Sequence, residues 1–402
     1  MKAMITPGKA KGAVLAPPSK SMAHRMLMGA GLAEGISVVQ NIDLSEDIKA
    51  TLGILKALGA IYTIDEGKVT IQGIGRKKLQ ADCTLDSKES GSTLRFFVPI
   101  VLSGGGTFEF TGAKRLFERP LSVYEDICKA QGIVFKKGET GLRISGKLQA
   151  THYQVPGNIS SQFITGLLYA LPLLEEDSVL EILPPVESGA YIEMTLETLH
   201  TFGIQMERDG NTYKIRGGQM YQAKDVTVEG DYSNAAFLDA LNLLGGKVQV
   251  EGLRPDTLQG DQIYQKYYEV LREEHPRMDL SECPDLGPIL MGMAATGKGA
   301  HFTGTRRLRI KESDRGAVMA EELAKFGIRV DVLENEIVVY PGVLQKPKDV
   351  LDSHNDHRIA MTMATLCTLT GGVIDGAQAV RKSFPNYFAV LEKLGIQVTL
   401  EV

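Results

Sequence analysis

Cysteine is scarce and scattered in this sequence. The four thiols, Cys83, Cys128, Cys283 and Cys367, show neither a paired metal-ligand spacing nor a disulfide framework. They read as inert thiols of a reducing cytosol. Long apolar runs are also missing. The most apolar stretch, Phe163 to Leu174, is too short to span a bilayer and is interrupted by Pro172, and Met1 to Lys20 has no apolar signal core. Nor is there an excess of positive charge: a net charge of -5 argues against a nucleic-acid or membrane-surface protein. Basic clusters are then local, and their partners are small anions. The expectation is a cytoplasmic protein long enough for two domains.

Internal repetition is abundant. A Leu-rich, helix-like segment ending in apolar-Gly-apolar occurs around Gly59, Gly203, Gly327 and Gly395, with a polar variant at Gln131-Gly132-Ile133. The glycines fit helix C-caps. Their spacing is about 70 residues, with one double gap in which Tyr267 to Met278 looks like a shortened copy. Six repeats fill the chain. A hairpin-like pair follows several of the capped helices, clearest in 61–73, 204–217 and 328–340.

Each repeat has a second, Ala/Leu/Met-rich helix that opens on polar residues. The openings are Ser19-Lys20-Ser21, Ser90-Gly91-Ser92-Thr93, Ser160-Ser161-Gln162, Asp231-Tyr232-Ser233-Asn234, Pro284-Asp285 and Asn355-Asp356-His357-Arg358. In the first, a short apolar run stops at Pro17-Pro18 and a helix is expected from Met22 to Leu32, with Ser19 or Ser21 as N-cap. Free N–H groups and the helix dipole there act together with Lys20 and Arg25 on an anion. Simple capping explains the serines equally well, but not the cations. Three more clusters add charge: Arg306 to Arg315 ahead of a helix from Gly316, Arg381-Lys382-Ser383 before the last helix, and Arg119-Pro120, with proline expected as a first helical residue. Together they can neutralise two anionic ligands.

Pro18-Ser19-Lys20-Ser21 with Arg25, Gly91-Ser92-Thr93-Leu94-Arg95, Arg119-Pro120, Lys311-Glu312-Ser313-Asp314-Arg315, Asp356-His357-Arg358 and Lys382-Ser383-Phe384-Pro385 occur in one order from end to end. This set resembles the 5-enolpyruvylshikimate-3-phosphate synthase family over nearly the whole chain. The resemblance implies an α/β fold of two similar domains, each of three repeated sheet-and-helix units, an inside-out α/β barrel. One domain would be residues 20–227 and the other 1–19 with 228–402, with the active site in the cleft between them.

The resemblance also implies transfer of the enolpyruvyl group of phosphoenolpyruvate to the 5-hydroxyl of shikimate 3-phosphate, releasing phosphate, by a monomer without metal or organic cofactor. Glyphosate would be an inhibitor. Ser21, Arg25, Ser160, Ser161 and Ser188 would hold the ring phosphate, Lys311, Tyr191, Gln162 and Asp285 the ring and its hydroxyls, and Lys20 would also contact shikimate 3-phosphate. Lys20, Arg119, Arg315, Arg358 and Lys382, with Gly91 and Gln162, would hold phosphoenolpyruvate. Asp285 would act as base on the 5-hydroxyl and Glu312 as acid to the methylene carbon, with Lys20 near the reacting oxygens. Two positions depart from the family pattern: Glu89 and Arg307 stand where Asn is expected. The sister family, UDP-N-acetylglucosamine enolpyruvyl transferase, shares fold and donor. It typically has Lys-Asn where this chain has Lys20-Ser21, and a reactive cysteine in a loop that here, 111–119, holds none.

Overall fold

Parallel neighbouring strands need a crossover, and the apolar helices of the repeats supply it. In the computed structural model, which describes residues 1–75, 79, 81–274 and 276–401, the complete repeats form four-stranded sheets. Within each sheet the first two strands are parallel, as in Cys83–Asp86 with Gly106–Thr111. The other two pair antiparallel, in most sheets as a hairpin such as Gly141–Gly146 with Val134–Lys137. Alternation sets the faces: along His152–Pro156, Tyr153 and Val155 are buried while His152 and Gln154 are exposed.

Packing divides the chain into a continuous domain, Lys20–Val228, and a discontinuous one, Met1–Ser19 with Glu229–Val402. The boundary lies one residue past the expected 227/228. Each domain has its own hydrophobic core. The continuous domain contains three four-stranded sheets and helices α1 (Lys20–Leu32), α2 (Glu46–Ala57), α3 (Gly91–Gly104), α4 (Lys114–Glu118), α5 (Ser122–Ala130), α6 (Ser161–Ala170) and α7 (Gly189–Thr201). Helices α3 and α6 are apolar on nearly all sides and pack against each other in the core, as helices without a polar face must. Their N-terminal ends carry the polar openings of the sequence.

The discontinuous domain adds α8 (Tyr232–Leu243), α9 (Tyr264–Val270), α10 (Gly287–Ala295), α11 (Arg315–Lys325), α12 (His357–Thr370) and α13 (Tyr387–Lys393). Here α8, α10 and α12 are the mutually packed core helices. Two of its sheets have four strands. In one of them the N-terminal strand Lys2–Ile5 fills the inner hairpin position, antiparallel to Gly372–Asp375 and Val398–Glu401. Among the described residues the third sheet has only Lys247–Glu251 and Lys11–Leu15, with no hairpin where the shortened copy was expected, and the next strand after α9 is Arg277–Asp279 of the following repeat. Near the domain boundary the outgoing and returning chains lie side by side, with Ser19 N donating to Glu229 O at 2.8 Å and Asp231 N to Pro17 O at 2.8 Å.

The hinge glycines of the repeats behave as C-caps: Gly59, Gly203, Gly327 and Gly395 have φ between 82° and 113°. Three local expectations need correction. Helix α1 begins at Lys20, before Met22. Helix α11 begins at Arg315, before Gly316, because the Asp314 carboxylate caps it by accepting from Ala317 N. Pro120 opens no helix: α4 occupies part of the expected 111–119 loop, Arg119 is extended (φ -66°, ψ 151°), as a residue before proline tends to be, and α5 starts at Ser122.

Candidate active site

In the discontinuous domain one carboxylate gathers three cations. Asp285 sits in a short 3-10 turn, Pro284–Leu286, at the head of α10. Its Oδ1 accepts from Lys311 Nζ at 3.1 Å and Arg315 Nη1 at 2.9 Å, and its Oδ2 from Arg358 Nη2 at 3.0 Å. Burial alone would raise its pKa, but Arg358, Lys311 and Arg315 outweigh burial and hold it well below the usual carboxylate range. The same burial pushes Lys311 down to about 8, against the pull of Asp285 and with repulsion from Arg315 and Arg307. Lys311 is thus a cation poised to titrate near neutrality.

Arg315, 1 % exposed, is the centre of this network. Its Nε donates to Asp356 Oδ2 at 2.8 Å and its Nη2 to Glu312 Oε2 at 2.8 Å. Asp356 also caps α12 through Arg358 N and accepts from Ser313 Oγ at 3.1 Å. The Glu312–Arg315 pair has helical spacing, yet it is no surface pair, since the guanidinium is buried. Lys382 reaches the same loop by donating from Nζ to Asn355 O. Arg307 is buried and donates to Ser281 O at 3.1 Å. The structure therefore brings Asp285, Lys311, Glu312, Arg315 and Arg358 into one network, with Lys382 joined to it through the 353–356 loop.

The continuous domain is built differently. Arg25, 2 % exposed, lies on α1 between α6 and α7. Its Nε donates to Thr195 Oγ1 at 2.9 Å, Nη1 to Ser21 O at 2.8 Å, and Nη2 to Thr165 Oγ1 at 3.3 Å and Tyr191 O at 3.0 Å. Every one of these acceptors is neutral. Burial lowers its pKa to about 10, opposed by Tyr169 and Tyr191, so the group stays charged at neutral pH. Four of the five N–H groups of a guanidinium are engaged. Ser160 caps α6 by accepting from Gln162 N, Ser161 lies one turn before Thr165, and Ser188 sits at the N-terminal end of α7. Gln162 is fixed by Arg95 Nη1, which donates to its Oε1 at 2.7 Å, and by donating to Ser92 Oγ at 2.9 Å.

Gly91 and Arg119 are in contact. A Cβ at position 91 would lie 2.5 Å from Arg119 Nη1 and 2.8 Å from its Cζ, so only glycine lets the guanidinium lie on the head of α3. Glu89, half-buried, precedes the N-cap Ser90. Lys20 pairs with Asp47 at 2.8 Å. A buried hydrogen-bonded chain runs from His24 Nδ1 through Thr51 and Thr93 to Ser90, tying the first turn of α1 to the cap of α3. Burial, and then Lys20 and Arg25, hold the His24 imidazole neutral by lowering its pKa well below 6.5.

Sequence reasoning missed Asp47, Thr165, Thr195 and Asp261. Asp47 looks like an ordinary acid in the first turn of α2, and the threonines are hidden inside apolar helices. Asp261, in the turn Gly260–Ile263, is a further buried carboxyl near the network. Burial, then the charge of Asp285, push it up to about 6, with Arg358 opposing.

Comparison with known proteins gives the family. The family described as EPSP synthase (3-phosphoshikimate 1-carboxyvinyltransferase) matches residues 5–391. The 3-phosphoshikimate 1-carboxyvinyltransferase of Clostridium novyi is 40% identical, with 97% of each chain covered. That of Clostridium kluyveri is 39% identical over 98% of this chain and 97% of its own. Among solved structures, an EPSP synthase from Acinetobacter baumannii superposes with a TM-score of 0.77 at 24% identity, covering 99% of this chain and 100% of that one, a likeness of fold. Among the described residues no helix is long and apolar enough to cross a membrane. The chain belongs to the EPSP synthase family.

Proposed function

We propose that the two sets of residues divide the work of the family's reaction. That reaction moves the enolpyruvyl group of phosphoenolpyruvate to the 5-hydroxyl of shikimate 3-phosphate and releases phosphate, in aromatic biosynthesis. Shikimate 3-phosphate is held at its phosphate by Ser21, Arg25, Ser160, Ser161 and Ser188, and at its ring by Gln162, Tyr191, Lys311 and Asp285. Phosphoenolpyruvate is held by Lys20, Gly91, Gln162, Arg119, Arg315, Arg358 and Lys382. Arginines suit both its phosphate and its carboxylate, since a guanidinium can bind either group in a bidentate fashion.

Asp285 takes the proton of the attacking 5-hydroxyl while Glu312 gives one to the methylene carbon of phosphoenolpyruvate. The proton roles then reverse as a methyl proton is removed and phosphate leaves, with Lys20 beside the reacting oxygens. One observation carries this reading: Lys311, Arg315 and Arg358 converge on Asp285. In the free protein those cations make Asp285 a weak base. Anionic substrates that draw the cations toward themselves raise its basicity at the moment it is needed.

The enzyme works as a cytoplasmic monomer in this reading, and the absence of a disulfide among the described residues fits a reducing compartment. Phosphate release from phosphoenolpyruvate tests the function. Release is expected with shikimate 3-phosphate and not with UDP-N-acetylglucosamine, and the reverse preference would overturn it. Glyphosate should compete with phosphoenolpyruvate, and fosfomycin should add no mass to the protein. Burial pushes Cys128 and Cys367 up to about 12 and raises Cys283 well above the usual thiol value, so these thiols stay protonated.

A further inference from the structure

Lys382 and Arg358 both depend on an irregular loop, residues 353–356, between the strand Leu351–Asp352 and α12. In it His354 and Asn355 have φ of 47° and 54°. Left-handed backbone is disfavoured for a residue carrying a Cβ, though less so for Asn, so two in succession need support. Part of it is local: His354 N donates to Asp352 Oδ1 at 2.7 Å, and Asp356 N to Ser353 O at 2.9 Å.

The rest comes from α11, which holds the loop at two points. Arg315, at its start, binds Asp356 at the downstream end. Glu322, two turns further along the same face and roughly 10 Å away by helical rise, binds the upstream end. Its Oε2 accepts from Asp352 N at 3.0 Å and its Oε1 from His354 Nε2 at 2.9 Å. The carboxylate is fully buried, and Lys325 Nζ, at 2.8 and 3.0 Å from its two oxygens, supplies the counter-charge. In sequence, Glu322 and Lys325 look like a solvated pair at helical spacing. The turn they anchor presents the Asn355 carbonyl to Lys382 Nζ and sets Asp356 as the cap that starts Arg358 on α12.

We propose that Glu322 is a positioning residue for phosphoenolpyruvate binding, fixing through Asp352 and His354 the left-handed turn that aims Lys382 and Arg358. The inference rests on the assignment of those two cations to phosphoenolpyruvate. Glu322→Gln keeps the shape of the side chain but sets an amide N–H against existing donors.

The test is a double-mutant cycle of Glu322→Gln with Lys382→Met, read by steady-state kinetics. Glu322→Gln alone should raise KM for phosphoenolpyruvate about tenfold, the equivalent of one buried hydrogen bond. KM for shikimate 3-phosphate and kcat should stay within about twofold, because a positioning role leaves chemistry intact. The double variant should be less impaired than the product of the two single effects, since the share of the loss that runs through Lys382 is already gone and only the share through Arg358 remains. Multiplicative effects, an equal rise in both KM values, or no change would overturn the proposal.

If Glu322→Gln fails to fold, His354→Ala removes one arm of the clasp, leaves the buried carboxylate and Lys325 in place, and should still raise KM for phosphoenolpyruvate alone. An unchanged KM there counts against the clasp. If Lys382→Met leaves KM for phosphoenolpyruvate unmoved, the assignment of Lys382 falls instead. The clasp is then read by amide exchange at Asn355 and Asp356, which Glu322→Gln or His354→Ala should accelerate at least about tenfold. Unaltered exchange would overturn it.

Discussion

The two domains repeat one architecture but handle charge in opposite ways. In the continuous domain Arg25 is buried among threonine hydroxyls and backbone carbonyls, so its charge has no internal balance among the described residues. In the discontinuous domain Asp285, Glu312 and Asp356 are interleaved with Lys311, Arg315 and Arg358. An incoming phosphate can complete the first site without breaking an ion pair. At the second site an anion must compete with carboxylates already in place, which weakens binding but couples it to proton position. In the proposed reading, affinity for the phosphorylated acceptor belongs to the first arrangement, and proton transfer to the second.

The largest expected effect is at Asp285. Asp285→Ala should lower kcat by roughly a hundredfold or more, the range for loss of a general base, and phosphate-release assays would read it. Stability should fall too, because three cations lose their shared carboxylate. Near-normal turnover would remove Asp285 from the mechanism.

Next is Gly91. In Gly91→Ala the methyl group pushes the Arg119 guanidinium aside, and KM for phosphoenolpyruvate should rise by roughly ten- to a hundredfold, since an ångström of misplacement at a positioning group can cost up to about a hundredfold. Binding of shikimate 3-phosphate should be unaffected, which separates the donor contacts within this domain from the phosphate pocket. Thr195→Val, which removes a neutral acceptor from Arg25, should weaken shikimate 3-phosphate binding about fivefold by titration calorimetry. A comparable loss in phosphoenolpyruvate affinity would blur the division drawn here.

The smallest effect is one of pH. Lys311 is charged below its pKa of about 8 and neutral above it. The kcat/KM for shikimate 3-phosphate should therefore decline as pH rises through about 8 in the free enzyme. In Lys311→Arg, whose guanidinium stays protonated, that limb should move to higher pH. Stability has its own sign: between about 8 and the ordinary lysine value the unfolded chain binds more protons at this site, so this group makes stability rise with pH in that window. An identical alkaline limb in Lys311→Arg would assign it to another group.

Much of this was legible in the sequence, and the parts that were not share a cause. Polar helix starts at Lys20, Gly91, Asp285 and Arg358, several of them with a cation close by in sequence, announce themselves locally, because capping and charge are written within a few residues. The contacts that tune those groups are long-range: Arg25 meets Thr165 and Thr195 across 140 and 170 residues, and Lys20 meets Asp47 across 27. A threonine on a buried helix carries no local sign of the guanidinium it serves. Glu322 has the spacing of a surface pair, and only its burial shows otherwise. The Arg119-Pro120 pair misled for a local reason, since proline restrains the residue before it as well as opening helices.

Calorimetric titration of shikimate 3-phosphate into Arg25→Ala and Asp285→Ala, side by side, tests the division of labour most directly. Arg25→Ala should lose affinity by roughly thirty- to a hundredfold, the scale of charge-assisted hydrogen bonds. Asp285→Ala should bind within about fivefold of the unaltered protein while its turnover is lost. Equal loss of binding in both variants, or intact binding in Arg25→Ala, would contradict the account.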